Sequence, residues 1–397
     1  MTRGPRTVAI IGGGIGGLTA ALALRRAGFV VKVYEQAGDL AEVGAGLQLS
    51  PNAVRVLDRL GLTPMIKIVA VAAESFEFRR WDDARLVSTT PLGLAIQQKF
   101  GFGYYQIHRA DLQPLLLKAL PSDCLEVGRR CVFLKHIGER VEIHFAEGAS
   151  AKADIVVGAD GIHSRVREIF IGTESPRFTG NIAFRGLVPI ERLAHLGLNR
   201  TCTMWMGPGG HFIHYFVAAG KLLNVVFIRD ETTWTRESWT DRGEIDELRA
   251  GYRGWHATVQ SIISAMDATL KWALLDRLPL PRWSFGRVTL LGDACHPMLP
   301  YVAQGAAQAI EDAATLATCL SSSHPDHVPM ALVRYEKLRL PRVTSVQAMA
   351  RANSGRFHLP DGPLQRARDA AMAESFGLTP AIDWLYSHDV EAIHQPQ

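Results

Sequence analysis

Apolar positions near the start of the chain fall into short blocks that alternate in character. Residues 8–11 form a continuous apolar run, an alanine- and leucine-rich stretch ends at Gly28, and "VVKVY" follows as a second apolar run. Continuous apolar runs are typical of parallel strands buried on both faces. The middle stretch, 18–27, has helical composition, with Gly28 as a natural C-cap. The pattern predicts a strand, a turn, a helix and a second strand.

The pattern changes to extended runs between about residues 181 and 275. The segments "IAFRGLVP", "TCTMWM", "HFIHYFV" and "LLNVVFIRD" predict antiparallel strands of a second, β-rich layer. After about residue 330 the composition becomes helical, with an expected interruption at Pro341, because proline lacks the N–H that a helix needs. The tail to Gln397 has mixed helical character and predicts a C-terminal cap or dimer surface. A mixed α/β chain of 397 residues is long enough for two domains.

A glycine-rich turn separates the first strand from its helix. Gly12, Gly14 and Gly17 fit the pattern G-x-G-x-x-G. The first glycine permits the tight turn, the second lets a phosphate approach the backbone, and the third lets helix and strand pack closely. Glu35 stands at the end of the next strand, where a carboxylate can accept both hydroxyls of a ribose. The combination predicts a dinucleotide site and leaves NAD and FAD both open.

Two later segments carry further motifs. "ADIVVGADGIHSRVREIF" has a strand followed by Asp160-Gly161, and "RVTLLGDACHPM" has a strand followed by Gly292-Asp293. Together with the turn at 12–17, the segments at 158–167 and 292–297 resemble the three ordered signatures of the class A flavoprotein aromatic hydroxylases, the single-component FAD monooxygenases. The resemblance implies a p-hydroxybenzoate hydroxylase-like fold, with a Rossmann-like FAD-binding domain, an inserted β-sheet substrate domain and C-terminal helices.

The same resemblance implies a division of the chain and a set of cofactor residues. FAD-binding segments are expected at 1–75, 101–180 and 276–355, substrate-domain segments at 76–100 and 181–275, and a C-terminal helical cap at 356–397. Glu35 would bind the adenosine ribose and Arg109 the FAD phosphate region. Asp160 is linked to FAD and NAD(P)H, and Asp293 to the ribityl chain. Other predicted cofactor residues lie in these motifs, in the loop 44–47, which includes Gly44 and Ala45, and near the helix that follows Gly292-Asp293. They are Gly12, Gly14, Ile15, Gly17, Gln36, Gly46, Leu47, Gly161, Gly292, Pro300, Gln304, Gly305, Ala306 and Ala307.

The segment "AQGAAQAIEDAATLATCL" predicts a helix whose first amides, around Gln304 to Ala307, face the pyrimidine edge of the isoalloxazine ring. Helix N-termini favour negative charge, and reduced flavin carries its negative charge on that edge. Simple helix packing of the small residues is the alternative. Glu311 and Asp312 are expected to complement the helix dipole.

One strand of the β-rich layer offers candidate substrate contacts. Alternation in "HFIHYF" puts His211, Ile213 and Tyr215 on one face. From the pattern alone, a core histidine and tyrosine are the simpler interpretation. Resemblance to the salicylate, 3-hydroxybenzoate and 6-hydroxynicotinate hydroxylases implies catalytic roles for His211 and Tyr215 beside the substrate. Further predicted substrate residues are Gln48, Cys202, Ile213 and Tyr301.

The resemblance leaves the substrate ring open. Pro300 stands where the 3-hydroxybenzoate 6-hydroxylases carry glutamine, and Gln48 stands where the 6-hydroxynicotinate type has histidine. The implied reaction is reduction of FAD by NADH or NADPH, addition of O₂ to give a flavin C4a-hydroperoxide, and hydroxylation of a small aromatic hydroxy-carboxylate, with His211 as the base and Tyr215 orienting the oxygen. Alternatives on the same scaffold are an oxidase, epoxidase or dehydrogenase of a non-aromatic substrate. A non-enzymatic nucleotide-binding protein is a third interpretation.

Composition narrows the class of protein further. The net charge is +4 and the basic residues are scattered, which argues against a nucleic-acid partner. The five cysteines never occur as CxxC, which indicates reduced thiols. We expect no metal site, because His324 and His327 in "SSSHPDHVP" lack paired ligand spacing. Glycines interrupt the signal-like N-terminus, and no apolar run approaches a membrane span. We expect a cytoplasmic protein, with a homodimer left open.

Overall fold

The computed structural model describes residues 5–40, 45–232, 242–374 and 377–392. Its strands, in chain order, are β1 (Thr7–Ile11), β2 (Val30–Tyr34), β3 (Gly46–Leu49), β4 (Val71–Ala72), β5 (Ser75–Arg80), β6 (Leu86–Pro91), β7 (Tyr105–His108), β8 (Leu125–Glu126), β9 (Cys131–Ile137), β10 (Arg140–Phe145), β11 (Ser150–Ala153), β12 (Ile155–Gly158), β13 (Arg177–Pro189), β14 (Cys202–Gly207), β15 (Gly210–Val217), β16 (Leu222–Asp230), β17 (Arg242–Gly243), β18 (Thr269–Asp276), β19 (Ser284–Phe285) and β20 (Val288–Leu290). Its helices are α1 (Ile15–Arg26), α2 (Pro51–Arg59), α3 (Thr63–Val69), α4 (Gly93–Phe100), α5 (Arg109–Lys118), α6 (Arg165–Ile171), α7 (Ile245–Gly251), α8 (Ala257–Ser264), α9 (Gly305–Ser321), α10 (Val328–Phe357), α11 (Pro363–Glu374) and α12 (Pro380–Tyr386).

A six-stranded, mainly parallel sheet contains the predicted N-terminal unit. Its order is β19-β20-β12-β1-β2-β8, and only β19 and β20 pair antiparallel. β12 and β20 are fully buried, as expected for apolar strands covered on both faces. The helix between β1 and β2 begins earlier than its composition suggested, at Ile15, and ends at Arg26. A small sheet, β11-β10-β9, adjoins this region, and β3-β7-β4 forms another.

An eight-stranded sheet contains the extended runs predicted between 181 and 275. Its order is β17-β18-β13-β16-β15-β14-β5-β6, antiparallel except for the β14–β5 pair. One face packs on α7 and α8 through Phe212, Phe227 and Tyr252. The opposite face meets the C-terminal helices through residues that include Met204 and Phe357. The predicted mixed α/β fold class is confirmed, while the six-segment domain division stays a prediction.

The helix after residue 328 does not break where the sequence indicated. α10 continues through Pro341 from Val328 to Phe357, so the expected interruption is wrong. Proline removes one helical donor, but Arg339 and Arg342, on either side of it, are fixed by buried ion pairs to Glu311. Those contacts hold both halves of α10 against α9. No helix within the described ranges is both long and apolar enough to cross a bilayer.

The two acids of α9 form a buried network rather than only complementing the helix dipole. Arg339 Nε lies 2.7 Å from Asp312 Oδ1, and His296 Nε2 lies 2.5 Å from Asp312 Oδ2. Arg342 Nε lies 2.7 Å from Glu311 Oε2. Burial alone would raise the pKa of both carboxyls, but the neighbouring cations hold each pKa below its usual range. The network ties α9 to α10 and to the loop after β20. All five cysteines are buried and unpaired, as predicted.

Candidate active site

The carboxyl ends of four neighbouring strands, β20, β12, β1 and β2, meet at one edge of the parallel sheet. In that order they are followed by Gly292, Asp160, Gly12 and Glu35. The backbone N–H of Gly12 donates to the carbonyl of Tyr34 at 2.8 Å, which closes β1 onto β2. Ligands of open α/β sheets bind outside the carboxyl ends of the strands. The fold therefore brings motifs separated by up to 280 positions into one cleft.

The three glycines of the first turn have three different environments. Gly12 has a φ of +110°, and a Cβ there would lie 2.3 Å from the carbonyl oxygen of Ala159. A Cβ on Gly17 would lie 2.0 Å from the carbonyl oxygen of Gly12, so α1 can approach β1 only through glycine. A Cβ on Gly14 would meet no heavy atom within 4 Å. The second glycine thus opens onto free space, where a phosphate can approach the backbone.

The groups around this turn fit a pyrophosphate and a ribose. Gly14 is the N-cap of α1 and provides no side-chain cap for the helix N-terminus. Glu35 accepts hydrogen bonds from the backbone N–H groups of Gly13 at 2.7 Å and Ala37 at 2.8 Å, which fix its carboxylate beside the turn. Ile15 is buried in the core, and Gln36 is exposed.

Asp160 is engaged locally. Its carboxylate accepts from Ser164 Oγ at 2.6 Å and from the backbone N–H of Val166 at 3.1 Å, at the start of α6. Desolvation nevertheless raises its pKa. Gly161 follows with a φ of +75° and turns the chain toward that helix. The predicted contacts of Asp160 with FAD and NAD(P)H stay a prediction.

The segment after β20 forms the other end of the cleft. Gly292 donates to Asp312 Oδ2 at 3.0 Å, which anchors the turn that presents Asp293. The carboxylate of Asp293 is open to the cleft yet enclosed by protein, and this desolvation raises its pKa, while His296 and Arg109 act in the opposite direction. Arg109, at the first position of α5, is thus near enough to Asp293 for its charge to act on that carboxylate.

No side chain of the described residues caps the start of α9. Gln304, the N-cap residue, uses its own side chain elsewhere, donating to Ser50 Oγ at 2.9 Å. Gly305 and Ala306 are half-buried, whereas Ala307 is packed in the core. The first turn of the helix contains no acidic residue. Its amides therefore remain available to the cleft.

The loop before β3 approaches the β-rich sheet. Gly44 lies outside the described residues. The N–H of Gly46 donates to Asn224 Oδ1 at 2.7 Å, and a Cβ on Gly46 would lie 2.6 Å from a ring carbon of Tyr215. Leu47 packs against the main core. Tyr215 is thus placed against the loop that was predicted to lie beside FAD.

A cavity of about 490 Å³ lies between the eight-stranded sheet, the segment before α9 and the C-terminal helices. This volume is ordinary for the site of a small organic ligand. Phe76 and Phe78 of β5 and Ile213 of β15 form the sheet side of the wall. Pro300 and Tyr301 form the side that adjoins α9. The remaining wall comes from β3, β6 and β14, from the segments around Leu92 and Tyr104, and from α10, α11, α12 and the residues before α12.

Apolar side chains outnumber polar ones in this wall. Gln48 accepts a hydrogen bond from the hydroxyl of Tyr104, and Tyr386 lies beside that pair. Arg356, at the end of α10, is the one charged side chain among the described residues that line the cavity. It is exposed, and no side chain in the described ranges forms an ion pair with it. The cavity therefore combines a mostly apolar wall with a single positive charge.

The predicted substrate residues divide between the wall and the layer behind it. Gln48, Ile213 and Tyr301 line the cavity. Cys202 is fully buried in a small cluster with Tyr215, and neither belongs to the wall. Burial raises the pKa of Tyr215. The roles of Cys202 and Tyr215 toward substrate stay predictions.

His211 also lies just behind the wall. Its ring packs on Tyr301 and Phe357, both with centroids 5.5 Å away, and both of those rings line the cavity. Its Nδ1 lies 2.7 Å from Nε2 of His358. Burial lowers the pKa of His211 well below its usual range, and His358 lowers it further. The catalytic role of His211 stays a prediction.

Several groups in the cavity wall or behind it have no motif in the sequence. Arg356, His358 and Tyr386 come from the segment that was expected to form only a cap or dimer surface. Arg356 sits in the last turn of a helix, where a basic residue is common for reasons of the helix dipole alone. Their positions follow from long-range packing, and no local pattern reveals them.

A glycine turn at the edge of a parallel sheet, joined to a cavity against a second sheet, defines a dinucleotide-dependent enzyme that binds a small ligand. A family model described as the FAD binding domain matches residues 6–350. A 3-amino-4-hydroxybenzoate 2-monooxygenase of Streptomyces platensis is 43% identical over 392 residues, which cover 99% of this chain and 98% of that protein. A 6-hydroxynicotinate 3-monooxygenase of Pseudomonas fluorescens is 37% identical, over 89% of this chain and 92% of that protein.

The similarity extends to solved structures. A salicylate hydroxylase in a substrate complex has a TM-score of 0.83 and 31% identity, covering 98% of this chain and 97% of that one. The chain belongs to the class A flavoprotein monooxygenases, the FAD-dependent aromatic hydroxylases. The predictions of an enzyme, of FAD as its cofactor, and of NAD(P)H and O₂ as co-substrates are thereby confirmed.

Proposed function

We propose that this monooxygenase hydroxylates a small aromatic or heteroaromatic ring that carries a carboxylate and a hydroxyl or amino group. The composition of the cavity carries this proposal. Its wall is mostly aromatic and aliphatic, and Arg356 is its one charged group among the described residues. Apolar walls favour a flat ring, and a guanidinium without an acidic neighbour favours a carboxylate, which it can bind through two parallel hydrogen bonds. Substrates named for the relatives, 3-amino-4-hydroxybenzoate and 6-hydroxynicotinate, are of this kind.

The cleft at the sheet edge fits FAD. Gly14 leaves room for the pyrophosphate beside the free amides of α1, and Glu35 stands where the ribose hydroxyls would donate. Arg109 and Asp293 would hold the middle of the cofactor. The amides of α9, from Gly305 onward, would face its ring. Bound FAD supplies the redox chemistry with NADH or NADPH and O₂, and the chain binds, orients and excludes water.

Within the proposal, His211 takes the proton from the substrate hydroxyl. Loss of that proton makes the ring a better nucleophile. Burial lowers the pKa of His211, so its ring is neutral at neutral pH and has a lone pair to offer to the substrate hydroxyl. Tyr215, held against Gly46 and close to Gln48, would orient the substrate on the side that faces FAD.

The proposal is tested by a substrate panel. The FAD-loaded protein is incubated with hydroxybenzoates, aminohydroxybenzoates and hydroxypyridine carboxylates, and oxidation of NADH and of NADPH is followed. Products are then analysed after reaction under ¹⁸O₂. We expect ¹⁸O in the product of at least one aromatic carboxylate. Oxidation of the nicotinamide without labelled product from any member would contradict the proposal, and a product lacking ¹⁸O would favour an oxidase or dehydrogenase.

A further inference from the structure

Three hydrogen-bonded side chains lead from the cavity wall to the protein surface. Nδ1 of His211 lies 2.7 Å from Nε2 of His358, and Nδ1 of His358 lies 2.5 Å from Oδ1 of Asp230. The two histidines are buried, whereas the side chain of Asp230 is 55% exposed. At the inner end, the ring of His211 packs on Tyr301 and Phe357, which line the cavity. The line thus runs from directly behind the cavity wall to solvent.

The fold fixes the positions of these three groups. His211 lies near the start of β15 and Asp230 ends the neighbouring strand β16, while His358 directly follows α10. The N–H of Gly209 donates to the carbonyl of His358 at 3.1 Å, which locks the end of α10 onto the turn before β15. Asn181 Nδ2 donates to Asp230 Oδ1 at 2.8 Å and orients the carboxylate.

The chemistry of the outer carboxylate sets the proton positions along the line. An ionised aspartate only accepts hydrogen bonds, so His358 must carry its proton on Nδ1. In the neutral form of His358, Nε2 is then an acceptor, and His211 donates to it from Nδ1. A neutral His211 is left with a lone pair on Nε2, which has no hydrogen-bond partner within the described part of the chain. This is the protonation state that a general base needs.

We propose that His358 and Asp230 form a proton relay, through which the proton that His211 takes from the substrate hydroxyl leaves for solvent. The inference rests on the proposed function. The substrate O–H bond breaks as an N–H bond forms at Nε2 of His211. The Nδ1 proton of His211 moves to Nε2 of His358, and the Nδ1 proton of His358 moves to Asp230 and on to water. No electrons move, both imidazoles end neutral, and the reverse transfer restores the original state when the product oxygen is reprotonated.

Burial explains why a relay is useful. It lowers the pKa of His211 well below its usual range, so an imidazolium at this position is disfavoured. In a relay the proton on Nδ1 leaves as the new proton arrives, and no buried charge has to persist.

The other titratable groups around the line are held in separate interactions. Tyr252 donates to the carbonyl of His211 at 2.9 Å, and Tyr301 donates to Asn181 at 3.0 Å. Burial raises the pKa of both hydroxyls, so they stay neutral around pH 7. Arg229, next to Asp230, pairs with Glu231 and Glu247.

The test compares His358→Gln and Asp230→Asn with wild type. His256→Asn is the control, because His256 lies on the opposite face of the sheet, stacked on Trp205, and asparagine keeps its N-cap role. Proton release on substrate binding is measured with an indicator dye in weak buffer, phenolate formation by ultraviolet difference spectra, and hydroxylation over a range of pH. The measurements of proton release and of phenolate formation report on substrate binding and need no turnover.

We expect both relay variants to bind substrate as wild type does and to lose prompt proton release. Hydroxylation near pH 7 should fall by at least about tenfold, the modest end of what a positioned acid or base contributes. The loss should disappear as the pH approaches about 10, where a free phenol ionises unaided; a merely structural defect would persist there. If His358→Gln does not fold, Asp230→Asn still tests the relay, because the Asp230 side chain is half exposed and its replacement should be tolerated.

Wild-type proton release and an unchanged pH profile in a folded relay variant would overturn the relay while leaving the proposed function intact. Failure of wild type to bind any aromatic carboxylate would instead contradict the proposed function.

Discussion

Removal of the cavity's positive charge offers the most direct test of how the substrate is recognised. We predict that Arg356→Gln weakens binding of a carboxylate-bearing ring. A hydrogen bond to a charged group contributes about 1.5–3 kcal/mol. Because Arg356 is exposed to water, the lower end applies, and about 1.5 kcal/mol corresponds to roughly a tenfold rise in Kd. Arg356→Lys keeps the charge but loses the planar fork, so it should fall between wild type and Arg356→Gln.

The assay follows the flavin absorbance of the FAD-loaded protein during titration with a substrate and with the matching amide, which lacks the negative charge. The amide should bind wild type and Arg356→Gln about equally, since the lost interaction is with the carboxylate. Arg366→Gln is the control, because Arg366 is also exposed but lies on α11 outside the cavity wall. If the carboxylate and its amide lost affinity to the same extent, the effect would come from a changed cavity shape, and Arg356 would not be the anion-binding group.

Four further outcomes follow from the structure. His211→Ala should slow ring hydroxylation and divert NAD(P)H oxidation to hydrogen peroxide, measured as product per nicotinamide consumed; full product yield would contradict its role as base. Arg339→Met should lower the free energy of unfolding by about 3 kcal/mol, measured by denaturant titration, because it removes the buried cation that Glu311 and Asp312 share and leaves them with Arg342 and His296. Since the pKa of each carboxyl is lowered in the folded state, their contribution is complete above about pH 5 and is lost as the pH falls below about 4; the melting temperature of wild type should drop across that window more steeply than that of Arg339→Met. Gly14→Val should reduce FAD uptake, measured by absorbance near 450 nm, yet leave the melting temperature of the FAD-free protein unchanged, because the side chain would enter open space.

The cofactor cleft could be predicted from the sequence because its requirements are local. Gly12 and Gly17 are needed by contacts within one turn or with the adjacent strand end, so the glycine spacing itself encodes the geometry. The motifs after β12 and β20 follow short apolar strands, and parallel strands present their carboxyl ends at one edge. A strand, a turn type and a helix start are sufficient to place such residues.

The substrate cavity could not be predicted in the same way, because its wall combines distant parts of the chain. His358 contacts a histidine 147 positions earlier, and Arg356 reaches the cavity only because α10 continues through Pro341. Buried ion pairs of Arg339 and Arg342 with Glu311 flank that proline, and in the sequence Glu311 looks like an ordinary helix acid. Whether such an acid is exposed or buried in an ion pair is decided by the packing of the whole molecule and cannot be read from the local sequence.

The spacing along β15 separates the roles of His211 and Tyr215. They lie four residues apart on one strand, so their Cα atoms are about 13 Å apart at the usual rise per residue, farther than a single aromatic ring extends. Each is therefore closer to a different part of a small ring held between them. Tyr215 packs on Gly46, in the loop beside the predicted flavin position, while His211 leads through His358 to solvent. A substrate ring beside Ile213 would lie between these two side chains. One end of that ring would face FAD, and the other would exchange its proton through His211. Oxygen transfer would then take place away from the path by which protons leave.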